Sequence, residues 1–133
     1  MLRAIADTHT LIWYLFRDNR LSKAAGAAIE EAAAAGDQVG FSSVSLAEII
    51  YLIEKGRINA ATLDRLLTAI DQKDAVLAEV PFDRHIALAL RAVDKSKVPD
   101  LPDRIIAATA VHLKLPLISR DRKVQVADLN IIW

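Results

Sequence analysis

Short apolar runs recur along this chain, and each is followed by a stretch with the spacing of a helix. Arg3 to Ala6 reads as a strand and leads almost at once into a helix from about His9 to Phe16. Ser22 offers a cap for a second helix, Lys23 to Ala35, which Gly36 ends. Gln38 to Phe41 is a second strand, and Ser42, Ser43 and Ser45 offer caps for a helix reaching Lys55, stopped by Gly56. Asn59 begins a fourth helix, Ala60 to Lys73, with Leu63, Leu66, Leu67 and Ile70 at helical spacing. Val76 to Val80 is a third strand, and Asp83 caps a helix to about Val93. The loop from Lys95 to Pro102 leads into a helix from Asp103 to Lys114, with Pro102 near its first turn. Leu117-Ile118 and Asn130 to Ile132 are the last strands. Strands alternating with helices place the chain in the α/β class, a parallel sheet with helices on both faces. With no internal repeat and no linker, residues 1–133 read as one domain.

The bulk properties narrow the function classes. An apolar fraction of 53% argues against disorder. Seventeen basic and seventeen acidic side chains cancel, which gives no support for broad, non-specific nucleic-acid binding. That balance still accommodates a nucleic-acid enzyme whose acidic site is offset by local basic residues. The absence of cysteine removes disulfides and thiolate metal sites. No run approaches the ~18 apolar residues of a membrane span, and Asp7 interrupts the apolar start, so neither a membrane segment nor a signal peptide is expected. A cytoplasmic location follows as the expectation.

Four carboxylates stand in apolar company. Asp7 directly follows the first strand, and in open parallel sheets ligands bind beyond the carboxyl ends of strands. Its alternative role is a cap for the next helix. Glu48, in SVSLAEIIYLIEK, has Ser45, Val44, Tyr51 and Leu52 as helical neighbours and so points along a mostly apolar face. Burying it unpaired costs several kcal/mol; a salt bridge to an arginine competes with a metal as the remedy. Asp103 opens the small, apolar helix DRIIAATAVHL, where negative charge also favours the helix N-terminus. Asp121 follows Leu117 to Arg120, again just past a strand. Convergence of the four on one sheet edge would demand cations, and an oxygen-only set favours Mg²⁺ or Mn²⁺.

DTHTLIW, SLAEI, PDRIIAATA and LISRD, in this order, resemble the four acidic motifs of PIN-domain ribonucleases. The resemblance spans nearly the whole chain and is nearest to the VapC-type toxins of toxin–antitoxin pairs. It implies a PIN-like three-layer α/β/α fold with a central parallel sheet, and a metal-dependent endoribonuclease that hydrolyses RNA phosphodiester bonds. Asp7, Glu48 and Asp103 match the family's core metal ligands, and Asp121 its fourth acid. Thr8 and Ser119 match hydroxyl positions near the site, Ser119 standing where Thr is more usual, and Asp100 matches an acidic position found in some members. The resemblance further implies a homodimer and an antitoxin whose tail covers the active site.

Arg104 and Arg120 flank the acids and are candidates either for gripping phosphate or for pairing with Asp103 and Asp121. His9, His85 and His112 share no ligand spacing. Trp13 and Tyr14 suit a core or an interface better than base stacking. A phosphoacceptor domain would need an acidic neighbour beside Asp7, and a dehalogenase-like phosphatase would need an Asp where this chain has His9. A catalytically silent PIN-like scaffold and a stand-alone nuclease outside any toxin–antitoxin pair are the remaining alternatives.

Overall fold

The computed structural model describes residues 1–121 and 129–133. In chain order the elements are β1 (Leu2–Ala6), α1 (Thr8–Leu15), α2 (Lys23–Ala34), β2 (Gln38–Ser42), α3 (Val44–Glu54) and α4 (Thr62–Ile70). They continue with β3 (Leu77–Val80), α5 (Arg84–Ala89), a 3-10 turn (Leu90–Ala92), α6 (Leu101–Leu113), β4 (Leu117–Ile118) and β5 (Ile131–Ile132). All strand pairs are parallel, in the order β3-β2-β1-β4-β5. The first strand is therefore the central one.

Period-two alternation sorts the strand side chains into two cores. Ala4, Ala6 and Ile118 join Leu11, Ile29, Ile49 and Leu66 on one face. Ile5 and Leu117 join Ile86, Val93, Val98 and Ile106 on the other. Helices α1 to α4 thus cover one side and α5 with α6 the other, giving the three-layer α/β/α arrangement that the resemblance implies. Each fully buried Ile or Leu contributes about 1.5–3 kcal/mol, so the two cores hold the sheet from both faces. Gly40 in β2 has a steric reason: a Cβ there would stand 2.9 Å from Ile5 Cδ1 and 3.0 Å from Val80 Cγ2. Any larger residue would force the Ile5 and Val80 side chains to move.

The helix ends follow local chemistry. Ser22 and Asp83 cap α2 and α5 through the N–H groups of Ala25 and Ile86. Gly36 and Gly56 adopt positive φ just past α2 and α3. Two helices are shorter than their sequence pattern. Asn59 Oδ1 accepts from Ala61 N and Asn59 O accepts from the Thr62 hydroxyl, which makes a separate turn and delays α4 to Thr62. The stretch to Val93 tightens into the 3-10 turn after Ala89, where Arg104 Nη2 donates to the Leu90 and Val93 carbonyls. Helix α6 starts two residues earlier than Asp103, because Asp100 and not Asp103 is its cap.

Candidate active site

The carboxyl ends of β1, β2 and β4 lie side by side, and α1, α3 and α6 start near that edge. Asp7 follows β1 and is anchored twice. Its N–H donates to the Ile118 carbonyl at 3.1 Å, and its Oδ1 accepts from Thr10 N at 2.9 Å. It is thus the cap of α1, and the same contact aims the carboxylate past the sheet edge. The Thr10 hydroxyl donates to the same Ile118 carbonyl at 2.9 Å, fastening α1 to β4.

Glu48, on α3, is half-buried and meets Thr8. The Thr8 hydroxyl donates to Glu48 Oε1 at 2.6 Å and lies 2.8 Å from Ser45 Oγ. A hydroxyl has one proton to give, so with Glu48 ionised the chain runs from Ser45 through Thr8 to Glu48. Thr8 and Ser45 are both buried, which holds this relay fixed. Among the described residues Glu48 has no arginine partner; the side-chain ion pairs there use Asp18 and Asp37. Burial raises its pKa, the Thr8 hydrogen bond lowers it, and the negative charges of Asp100 and Asp7 raise it further.

Asp100 and Asp103 occupy the start of α6. Asp103 N donates to Asp100 Oδ2 at 3.1 Å. Burial, then the charges of Asp100, Glu48 and Asp7, push the Asp103 pKa up to about 7. One carboxylate oxygen from each of Glu48, Asp100 and Asp103 lies within 4.8 Å of the other two. Adjacent oxygens on one octahedral Mg²⁺ stand about 3 Å apart and opposite ones about 4.2 Å, given ~2.1 Å bonds. The spacing fits such an ion, and the all-oxygen chemistry fits Mg²⁺ or Mn²⁺.

Asp103 also belongs to a second group. Asp7, Asp103, Ser119 and Asp121, with Ile106 and Leu117, line a cavity of about 20 Å³, room for one water-sized occupant. Asp121 N donates to Ser119 Oγ at 3.1 Å, so the Ser119 hydroxyl fixes the backbone that carries this acid. Five carboxylates, from Asp7 to Asp121, therefore meet through Asp103. Asp100, which the sequence offered only as an auxiliary acid, stands within the same 4.8 Å group as Glu48 and Asp103.

Other residues singled out in the sequence lie outside this cluster. Arg104 turns away from the acids to the Leu90 and Val93 carbonyls, at 2.9 and 3.1 Å, and so serves the 3-10 turn instead of phosphate or Asp103. Arg120 lies over the Trp13 ring, 5.7 Å from its centroid. Trp13 is buried, with His9 and Trp133 against it, as a core residue. His85 and His112 stack on the outer face of α5 and α6, 6.2 Å apart. Thr10 and Ser45 were missed as site residues; their signal was proximity, three residues from Asp7 and from Glu48. A hollow of about 930 Å³ lies elsewhere, between α1, α2 and α4, and is lined by Tyr14, Leu21, Glu30, Asp64 and Arg65 among others.

The fold agrees with comparisons to known proteins. The PIN domain family model matches residues 4–129, and the chain belongs to that family. Ribonuclease VapC22 of Mycobacterium tuberculosis is 30% identical over 125 residues, covering 94% of this chain and 92% of that protein. Among solved structures, VapBC2 from Rickettsia felis bound to a promoter DNA fragment superposes with a TM-score of 0.72 at 15% identity, over 98% of this chain and 97% of its own. DNA-bound VapBC from Salmonella typhimurium gives 0.68 at 20% identity, with the same coverages of 98% and 97%. These two likenesses concern the fold.

Proposed function

We propose that this chain is a divalent-metal-dependent endoribonuclease acting as the toxin of a toxin–antitoxin pair, one PIN domain over residues 1–133. The observation that carries the reading is the gathering of Asp7, Glu48, Asp100, Asp103 and Asp121 at one sheet edge. Charges so close are costly unless cations share the site. The likeness to a ribonuclease VapC and to VapBC complexes supports both the activity and an antitoxin partner.

Asp7, Glu48, Asp103 and Asp121 would hold Mg²⁺ or Mn²⁺, with Asp100 as a further ligand. Bound there, such an ion supplies an activated water and neutralises phosphate charge. The chain's own residues set the geometry. Thr8 and Ser45 orient Glu48, the α1 cap orients Asp7, and Asp103 N orients Asp100. Ser119 positions Asp121, and buried Ile106 and Leu117 wall one side of the cavity against bulk water. The substrate is RNA, the protein a homodimer, and the antitoxin's tail covers the site. Among the described residues no helix is long and apolar enough to cross a membrane, in keeping with action in the cytoplasm.

The test is cleavage of RNA by purified protein with Mg²⁺ or Mn²⁺, with the new ends mapped. Cleavage is expected for the wild type, and loss of it with chelator, with Asp7→Asn and with Asp103→Asn. Equal cleavage by both variants would sink the assignment.

A further inference from the structure

A neutral chain with five clustered acids must find its attraction for a polyanion locally. The described basic residues near the site differ in how their charge is used. Arg20 is held by Asp18 through contacts of 2.7 and 3.0 Å, and Arg104 by two carbonyls. Arg120 is exposed, and no carboxylate of the described residues forms an ion pair with it. It directly precedes Asp121 and follows Ser119, two lining residues of the acidic cavity. Its guanidinium lies over Trp13, within the ~6 Å at which a ring attracts a cation. The indole is itself fixed, packed against Trp133 at 5.7 Å and His9 at 5.6 Å.

We propose that Arg120, seated on the Trp13 indole beside the acidic cavity, binds an RNA backbone phosphate neighbouring the one to be cleaved. Stacking uses the face of a guanidinium and leaves its N–H edge for bidentate contact with phosphate oxygens. The ring limits the side chain to few orientations, so little freedom is lost when phosphate arrives. This inference rests on the nuclease reading for its substrate, yet binding and cleavage are measured separately.

The probe is a fluorescein-labelled single-stranded RNA of mixed sequence, titrated by polarisation across a salt series. Wild type, Arg120→Ala and Arg120→Lys are compared, at an exposed position where folding is not at stake. Arg120→Ala is expected to weaken binding about three- to fivefold at low salt, the reach of one exposed ion pair. The slope of log affinity against log salt should fall by about 0.7, one phosphate contact on a single strand. Arg120→Lys should restore the slope and only part of the affinity. In cleavage assays Arg120→Ala should raise KM and leave kcat within about twofold. An unchanged affinity and slope, no RNA binding by the wild type, or a lowered kcat at constant KM each overturns the proposal. Arg120-dependent binding without any cleavage overturns the nuclease reading alone; cleavage with Arg120-independent binding overturns only the Arg120 contact.

Discussion

Helices α5 and α6 begin alike and end up with opposite electrostatics. Asp83 caps α5 through Ile86 N, and Asp100 caps α6 through Asp103 N. At α5 the Ile86 N–H and then the His85 and His112 imidazoles hold the Asp83 carboxyl below the usual range. At α6 the first-turn Asp103 is pushed up to about 7 by burial and by Asp100, Glu48 and Asp7. The same macrodipole acts at both helix starts and is worth only about 0.3–1 kcal/mol. What differs is the company: water and imidazoles at one, partial burial and three acids at the other. A helix start therefore welcomes one carboxylate by itself, and several only with a cation.

The largest test of that contrast is Asp103→Asn. Loss of a metal ligand should lower kcat for RNA cleavage by more than about 100-fold, beyond the usual cost of an outer-shell change. Stability should move the other way. An Asp with an unfolded pKa near 3.9 and a folded value near 7 binds more protons when folded, so its contribution falls as pH rises between those values. In metal-free buffer at pH 7.5, Asp103→Asn should thus raise unfolding stability, on the order of 1–2 kcal/mol after screening at a partly exposed site. The gain should vanish near pH 3.5, and denaturant melts at the two pH values would read it. Adding Mg²⁺ should stabilise the wild type and not the variant.

Thr8→Val is a milder perturbation of the crowded region. It removes the hydroxyl that orients Glu48 while keeping the shape, and cleavage should fall roughly tenfold or more with metal affinity. A Thr8→Val enzyme of full activity would make the relay structural only. The smallest effect belongs to the uncrowded helix. Asp83→Ala should lower the thermal midpoint slightly, by loss of the α5 cap, and leave cleavage unaltered. A drop in cleavage there would erase the distinction between the two helix starts.

Much of this was legible in the sequence because it depends on local pattern. Ala4-Ile5-Ala6 alternates between two cores, and Ser22, Asp83, Gly36 and Gly56 mark helix ends by their own chemistry. The acids Asp7, Glu48, Asp103 and Asp121 stood out because carboxylates are costly beside apolar runs. The sequence could not distinguish cap from ligand at Asp7, since the side chain that caps α1 also lines the acidic cavity. Asp100 took the capping role that the sequence offered to Asp103 because the helix began two residues earlier than the apolar pattern. Arg104 was illegible for a different reason. Its partners are backbone carbonyls eleven and fourteen residues away, which no side-chain pattern records.

The strand order carries a consequence in time. β1, near the amino end, must hydrogen-bond to β4, more than a hundred residues later, before Asp7 meets Asp121. At about 5–20 residues per second of synthesis, roughly 6–20 seconds separate the appearance of the two strands. Until β4 is made the central strand can pair only with β2, and the acid cluster lacks Asp121 and the wall that Leu117 and Ser119 supply. The cavity lined by Asp7 and Asp121 therefore closes only after β4 has joined β1.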